Sequence, residues 1–323
     1  MSFAPIAAAV ISRLVRSSSF LTIVFCLTVW FASGLSAAPL TRPAIWSSTS
    51  QTWIGYEDLV KNLRRTDLVF LGELHDNPEH HKHRARLLED LNRTNLHVVF
   101  EQLPSQESFV IPRAADSLLQ HLQLKGFNER AWEWPLHEPL FAAAQRIGLP
   151  VTGGNLLPGL GRRFLSDGSN AVPEGIKAVL EQAPLSATAL ADLDAALIEG
   201  HCGHLPKSML PIMRLVQQST DISMVINALT SLPAVVIAGN GHVQKNFGMP
   251  HYANHLLRTR NVIAVGFLES PPLKAAVAES RSGTLSAVEI PAIGDQQLFD
   301  FIWVTTRIDR EDPCKTPINF NHR

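Results

Sequence analysis

Asp67-Leu-Val-Phe-Leu-Gly-Glu-Leu-His-Asp-Asn-Pro-Glu79 is a short apolar run that stops at a glycine, bunches two acids with a histidine, and then turns to helix-start residues. The run Asp67 to Leu71 has the branched and aromatic character of a strand buried on both faces. Beyond it Asn77 can cap a helix, Pro78 suits the first turn, and Glu79 faces the positive end of the helix dipole. The apolar stripe of that helix is Leu87, Leu88 and Leu91. Continued backwards by threes and fours, the stripe reaches Arg84, His81 and His80, so the face that enters the core ends in histidines near the strand tip.

Similar runs recur along the chain: Leu96-His-Val-Val-Phe100, Pro150-Val-Thr152, Ala234-Val-Val-Ile-Ala238 and Asn261-Val-Ile-Ala-Val-Gly-Phe267. Longer helix-like stretches separate them, and this alternation predicts an α/β fold whose mostly parallel sheet is flanked by helices. From about 156 to 232 the strand signal disappears and helical segments follow, including Leu185 to Glu199 and Lys207 to Leu229; this reads as a smaller helical insertion capping the sheet. Phe299 to Thr305 is expected to add an edge strand, and residues 311–323 an irregular tail.

In parallel sheets, ligands bind beyond the carboxyl ends of the strands. The first strand delivers Glu73 and His75, which share a side if the chain stays extended, and Gly72 permits close approach of a neighbour. The second delivers Glu101, a carboxylate that is costly after an apolar run unless it is paired or at the strand tip. Gly239-Asn-Gly-His242 delivers another histidine. Glu73, His75, Glu101 and His242 suit general acid and base work, and Glu73, His75 and His242 could hold a divalent metal. A third cluster, His201, Cys202 and His204, lies between two helices; histidine and cysteine this close can take a soft metal or an iron cofactor.

Composition narrows the function classes. Of 323 residues, 28 are Lys or Arg and 29 Asp or Glu, interspersed, so nothing in the charge pattern points to nucleic acid. The amino end carries Arg13 and Arg16, the apolar run Phe20 to Phe31 and small residues to Ala38, the order of a secretory signal. Residues 1–38 are thus expected to be a signal peptide or a membrane anchor, placing the protein in the periplasm or cell envelope. Outside this leader the cysteines are Cys202 and Cys314, and pairing and two buried thiols both remain open.

Taken together, the motifs resemble the ChaN-like proteins, exported bacterial haem-binding proteins tied to iron uptake, within the Tiki and erythromycin-esterase superfamily. The resemblance runs from about Leu68 to Glu269, within an α/β domain expected to span 39–310. It is carried by Leu71-Gly-Glu-Leu-His-Asp-Asn-Pro78 with His80-His81, then Glu101, Trp134 with Pro139, His201-Cys-Gly203 with Pro206, Asp221, and Ile237-Ala-Gly-Asn-Gly-His242. It implies that Gly72 to His75 and Gly239 to His242 are the superfamily's paired signature turns, which supply catalytic or metal-binding groups in hydrolase relatives. His137 stands where relatives often carry a tyrosine, a candidate haem ligand, and histidine is also an axial ligand. Trp132, Trp134 and Phe141 around it suit a flat macrocycle. Thr220 stands where an arginine often precedes the aspartate matched by Asp221, which weakens a propionate contact there.

The expected function is therefore haem binding in haem or iron handling, with iron held by His137 or by the turn of His201 and His204. Association with the membrane and a homodimer accompany that expectation. The alternative is a hydrolase, peptidase or esterase, working through Glu73, His75, Glu101 and His242.

Overall fold

The computed structural model describes residues 44–114, 117–258, 261–270 and 298–315. The expected leader lies outside the described residues, as do residues 316–323 of the tail. No described helix is long and apolar enough to cross a membrane.

The elements follow in chain order: β1 (Ala44–Ser47), β2 (Thr52–Ile54), α1 (Tyr56–Leu63), β3 (Leu68–Leu71), α2 (Pro78–Leu91), β4 (His97–Pro104), β5 (Phe109–Val110), α3 (Leu118–Leu124) and α4 (Glu138–Ile147). They continue with β6 (Pro150–Asn155), α5 (Leu160–Asp167), α6 (Glu174–Gln182), α7 (Ala187–Gly200), α8 (Leu210–Leu229), β7 (Ala234–Ile237), α9 (Asn240–Val243), α10 (Met249–Leu256), β8 (Val262–Glu269) and β9 (Phe301–Thr305). Among the described residues the strands form one sheet in the order β2-β1-β9-β8-β3-β7-β4-β6-β5. From β9 to β6 all neighbours are parallel, as the alternation of strand and helix predicts; β1, β2 and β5 add antiparallel margins.

Along each inner strand, successive side chains enter opposite cores. Leu68 and Phe70 pack with Val99, Val236 and Ala264 beneath the helices of the 156–232 span, whereas Val69 and Leu71 pack with Val98, Phe100, Ile237 and Val265 against α2 and α4. Burial on both faces is why these strands read as unbroken apolar runs. Asn77 caps α2 as its residue type predicts, its side chain accepting from the Glu79 N–H at 2.9 Å. Leu87, Leu88 and Leu91 are buried on the stripe of that helix, each contributing roughly 1.5–3 kcal/mol.

One expectation needs correction. The run ending at Thr305 is not an edge strand: β9 lies between β8 and β1, because the β1–β2 hairpin covers its outer side. Within the helical 156–232 span, α8 packs on β4, β6 and β7 as the crossover helix between β6 and β7. Cys202 and Cys314 are joined in a disulfide across a separation of 112 residues, tying the turn after α7 to the segment after β9.

The register sets up the site. Leu71 pairs with Ile237 and Val265, and Phe100 pairs with Ile237. Gly72-Glu73 and Ala238-Gly239 therefore leave the sheet at the level of Glu101 in β4.

Candidate functional site at the carboxyl edge of the sheet

The two glycine turns are built into each other. The Asn240 N–H donates to the Glu73 carbonyl at 2.9 Å, and the Asn240 side chain fills the space where Gly72 has no Cβ. Reciprocally, a Cβ at Gly239 would lie 2.9 Å from Nε2 of His75, so the glycine makes room for that ring. Asn240 also donates to the Phe267 carbonyl at 2.6 Å and accepts from its N–H at 3.1 Å, fixing β8 to the same edge.

Glu73 lies at the centre of the first half of the site and is 1% exposed. Its Oε1 accepts from His75 Nδ1 at 2.6 Å and from Gln102 Nε2 at 3.4 Å, and His137 Nε2 faces it at 3.3 Å. Its Oε2 is ion-paired with the guanidinium of Arg84, which is fully buried. Two further contacts fix tautomers: His81 Nε2–H donates to the His75 carbonyl at 2.8 Å, and His137 Nδ1–H donates to the Trp132 carbonyl at 3.0 Å. Burial holds both rings neutral, pushing His81 down to about 4 and His137 down to about 2. His80 is likewise lowered to about 3 by burial, its Nδ1 accepting the Leu74 N–H at 2.9 Å.

Glu73, His81 and His137 offer three ligand atoms within 4.8 Å of one another, a set whose donor chemistry suits a divalent ion. However, Arg84 donates to His81 Nδ1 at 2.9 Å and pairs with Glu73. A guanidinium thus already stands on the nitrogen and the oxygen that a metal would need, and its charge would repel one.

The second half is built around His242 on α9. Its Nδ1 lies 2.6 Å from Asp221 Oδ1 and its Nε2 3.4 Å from Glu101 Oε1. Glu101 Oε2 accepts the Gly239 N–H at 2.8 Å. Burial disfavours the charged imidazole, but the facing carboxylates of Glu101 and Asp221 outweigh it and raise His242 well above its usual value. Burial also raises Asp221 to about 6 against the pull of His242. Glu101 falls to about 2, because His242 and the Gly239 N–H overcome the burial penalty.

Glu73, His75, Glu101 and His242 thus stand along one edge as a chain of contacts: Glu73 to His75, His75 over Gly239, Gly239 to Glu101, Glu101 to His242. Of the expected metal set, His75 meets Glu73, whereas His242 turns to Asp221 and Glu101. His137 joins the Glu73 half in a buried position, edge-on to Trp132. His201 and His204 sit apart, on the turn after α7 that the disulfide holds. His204 is exposed, and His201 Nδ1–H donates to the Leu197 carbonyl at 2.7 Å. Arg84 and His81 were visible only as members of a helix stripe. A charged residue on an otherwise apolar stripe implies a buried partner, and that signal points to Glu73.

The family described as haem-binding uptake, Tiki superfamily, ChaN matches residues 59–253. None of the curated proteins matches this chain. Among solved structures, ChaN of Campylobacter jejuni with cofacially bound haem is similar at 16% identity and a TM-score of 0.60, covering 81% of this chain and 96% of that one. The erythromycin esterase EreC in its open conformation aligns at 14% identity and a TM-score of 0.35, over 80% of each chain. A Bacillus cereus protein aligns at 16% identity and a TM-score of 0.36, over 65% of this chain and 68% of that one.

Proposed function

Because the chain belongs to the haem-binding ChaN family of the Tiki superfamily, we propose that it is an exported protein that binds haem through histidine at the carboxyl edge of its sheet and serves haem or iron uptake. One observation carries the choice of ligand type: this edge is rich in neutral histidine and holds no tyrosine. The chain has only two tyrosines, and both are engaged elsewhere. The Tyr56 hydroxyl bonds Asp90, and the buried Tyr252 donates to Gln218 at 3.1 Å. Haem, when bound, supplies an iron centre whose electronics its axial ligand sets.

The histidines read from the sequence differ in readiness. His137 would have to turn its ring out of the Glu73 pocket to meet iron. On the insertion turn, the Nδ1–H bond of His201 to a carbonyl is of the kind that orients a metal-binding imidazole. Half-buried Trp132 offers an aromatic wall beside this edge. Export is supported by the order of charged, apolar and small residues in the leader, and by a disulfide of the kind that persists in oxidising compartments. The Campylobacter jejuni relative holds its haem cofacially, and a haem-linked homodimer is part of this proposal.

Titration of the purified protein with haem tests the reading. A saturable shift of the Soret band is expected, accompanied by a doubling of mass in light scattering. Free-haem spectra at every ratio would refute it. Mass spectrometry of the protein from the cell envelope should find residues 1–38 absent, or retained in a membrane fraction if they anchor the chain.

A second reading, hydrolysis, is favoured by a different observation: His242 is held between two carboxylates beside the partly exposed His75. Ester or peptide turnover that His242→Ala abolishes, with or without added divalent metal, would move the assignment to this class.

A further inference from the structure

We infer that His75 is the axial ligand to the haem iron, with Glu73 as the buried acceptor that holds its Nδ1–H. The inference rests on the haem reading and adds to it a ligand and the group that tunes it.

His80 is spent on structure, between the Leu74 N–H and the Thr305 hydroxyl. His81 donates through Nε2 and accepts from Arg84 through Nδ1. His137 is buried with one nitrogen on a carbonyl and the other against Glu73. Both nitrogens of His242 face carboxylates, and Gln217 Nε2 also lies 2.9 Å from Nδ1, so both are engaged within the protein. His75 differs from all four. Its side chain is 49% exposed, its Nδ1 is committed to Glu73 at 2.6 Å, and among the described residues nothing hydrogen-bonds its Nε2.

A carboxylate acceptor at Nδ1 forces the proton to that nitrogen and leaves the lone pair on Nε2. It also orients the ring and raises its basicity, the support that metal-bound histidines generally have. Glu73 can play this part because Arg84 compensates its charge inside the protein, where an unpaired carboxylate is costly.

The His75 ring packs on the glycine turn: a Cβ at Gly239 would stand 2.9 Å from Nε2, whereas a Cβ built at Gly241 meets nothing within 4 Å, so the turn is open on the Gly241 side. Trp132 stands edge-on to His75 at 5.3 Å between ring centroids.

Haem titration of wild type, His75→Gly, His75→Leu and Glu73→Gln tests the inference. The expected result for His75→Gly is loss of the histidine-type spectrum, with free imidazole restoring it by entering the vacated space; His75→Leu, which fills that space, is not restored. Glu73→Gln should weaken haem binding by about 10-fold to 100-fold and raise the reduction potential of the haem that still binds, because the ring loses its anionic acceptor. Circular dichroism of His75→Gly should match wild type, since the ring is half exposed. If His75→Gly keeps the wild-type Soret position and affinity, His75 is not the ligand and haem binding stands without it. If wild type itself shows no saturable binding, the haem reading falls and this inference with it.

Discussion

The two halves of the carboxyl edge use the same residue types and reach opposite charge states. Around Glu73 the cation is Arg84, and His81 and His137 are kept neutral by burial. Around His242 no guanidinium is supplied among the described residues, and the imidazole itself becomes the cation between Glu101 and Asp221. The charge of a buried histidine is thus decided by which group compensates the carboxylate beside it. Only the half whose cation is an arginine keeps imidazole lone pairs, and that half can offer a ligand to iron.

The contrast breaks most sharply at Arg84. Arg84→Met leaves Glu73 as an uncompensated buried carboxylate and should cost about 3–5 kcal/mol in urea unfolding. The Arg84→Met, Glu73→Gln double variant should recover much of that loss, because the charge is removed with its partner. A single variant as stable as wild type would mean that the histidines already carry the compensating charge. Asp221→Asn in the other half should cost less, about 1–3 kcal/mol, because His242 can release its proton when one acceptor is lost. In histidine NMR, that variant should lower the His242 titration midpoint; an unmoved midpoint would show that Asp221 does not set its charge.

The halves should also respond to pH with opposite sign. The folded-state values of His81 and His137, about 4 and about 2, lie below the ordinary 6.5, so the unfolded chain binds more protons as pH falls. Their half therefore loses stability from pH 6.5 downward through 4. His242 is raised above 6.5, so the stability it contributes is complete below that value and is lost as pH rises through its folded pKa. Melting temperatures of wild type and Asp221→Asn across pH 5 to 9 separate the two, and the variant should lack much of the alkaline-side fall. Equal alkaline slopes would contradict the assignment.

The smallest effect on stability is expected at Gly239. Its φ of −66° suits any residue, and the added methyl group meets only the half-exposed His75 ring, so Gly239→Ala should cost under about 1 kcal/mol. Its haem affinity should nevertheless fall, because the ring must move. Unchanged affinity would remove Gly239 from the ligand's surroundings.

Much of this was legible in the sequence, and the rest was hidden for identifiable reasons. Each inner strand is buried on both faces, so apolar runs such as Ala234 to Ala238 marked the strands, and parallel order placed Glu73, Glu101 and His242 on one edge. The strands Ala44–Ser47 and Thr52–Ile54 are too short to show a period, and with them hidden β9 looked like an edge. The division of the site into two halves depends on Arg84 and Asp221, single polar residues on apolar helix faces whose partners come from distant strands. That pairing of Cys202 with Cys314 belongs to the same class of long-range fact, which spacing does not encode.

The most direct test of the account is the magnetic resonance of ferric haem bound to protein labelled with ¹⁵N-histidine. Hyperfine coupling of the iron to an imidazole nitrogen is expected in wild type and in His137→Ala, and is expected to vanish in His75→Gly. Coupling that survives in His75→Gly and disappears in His137→Ala would contradict it, placing the iron at the position read from the sequence rather than at the half-exposed histidine that Glu73 holds.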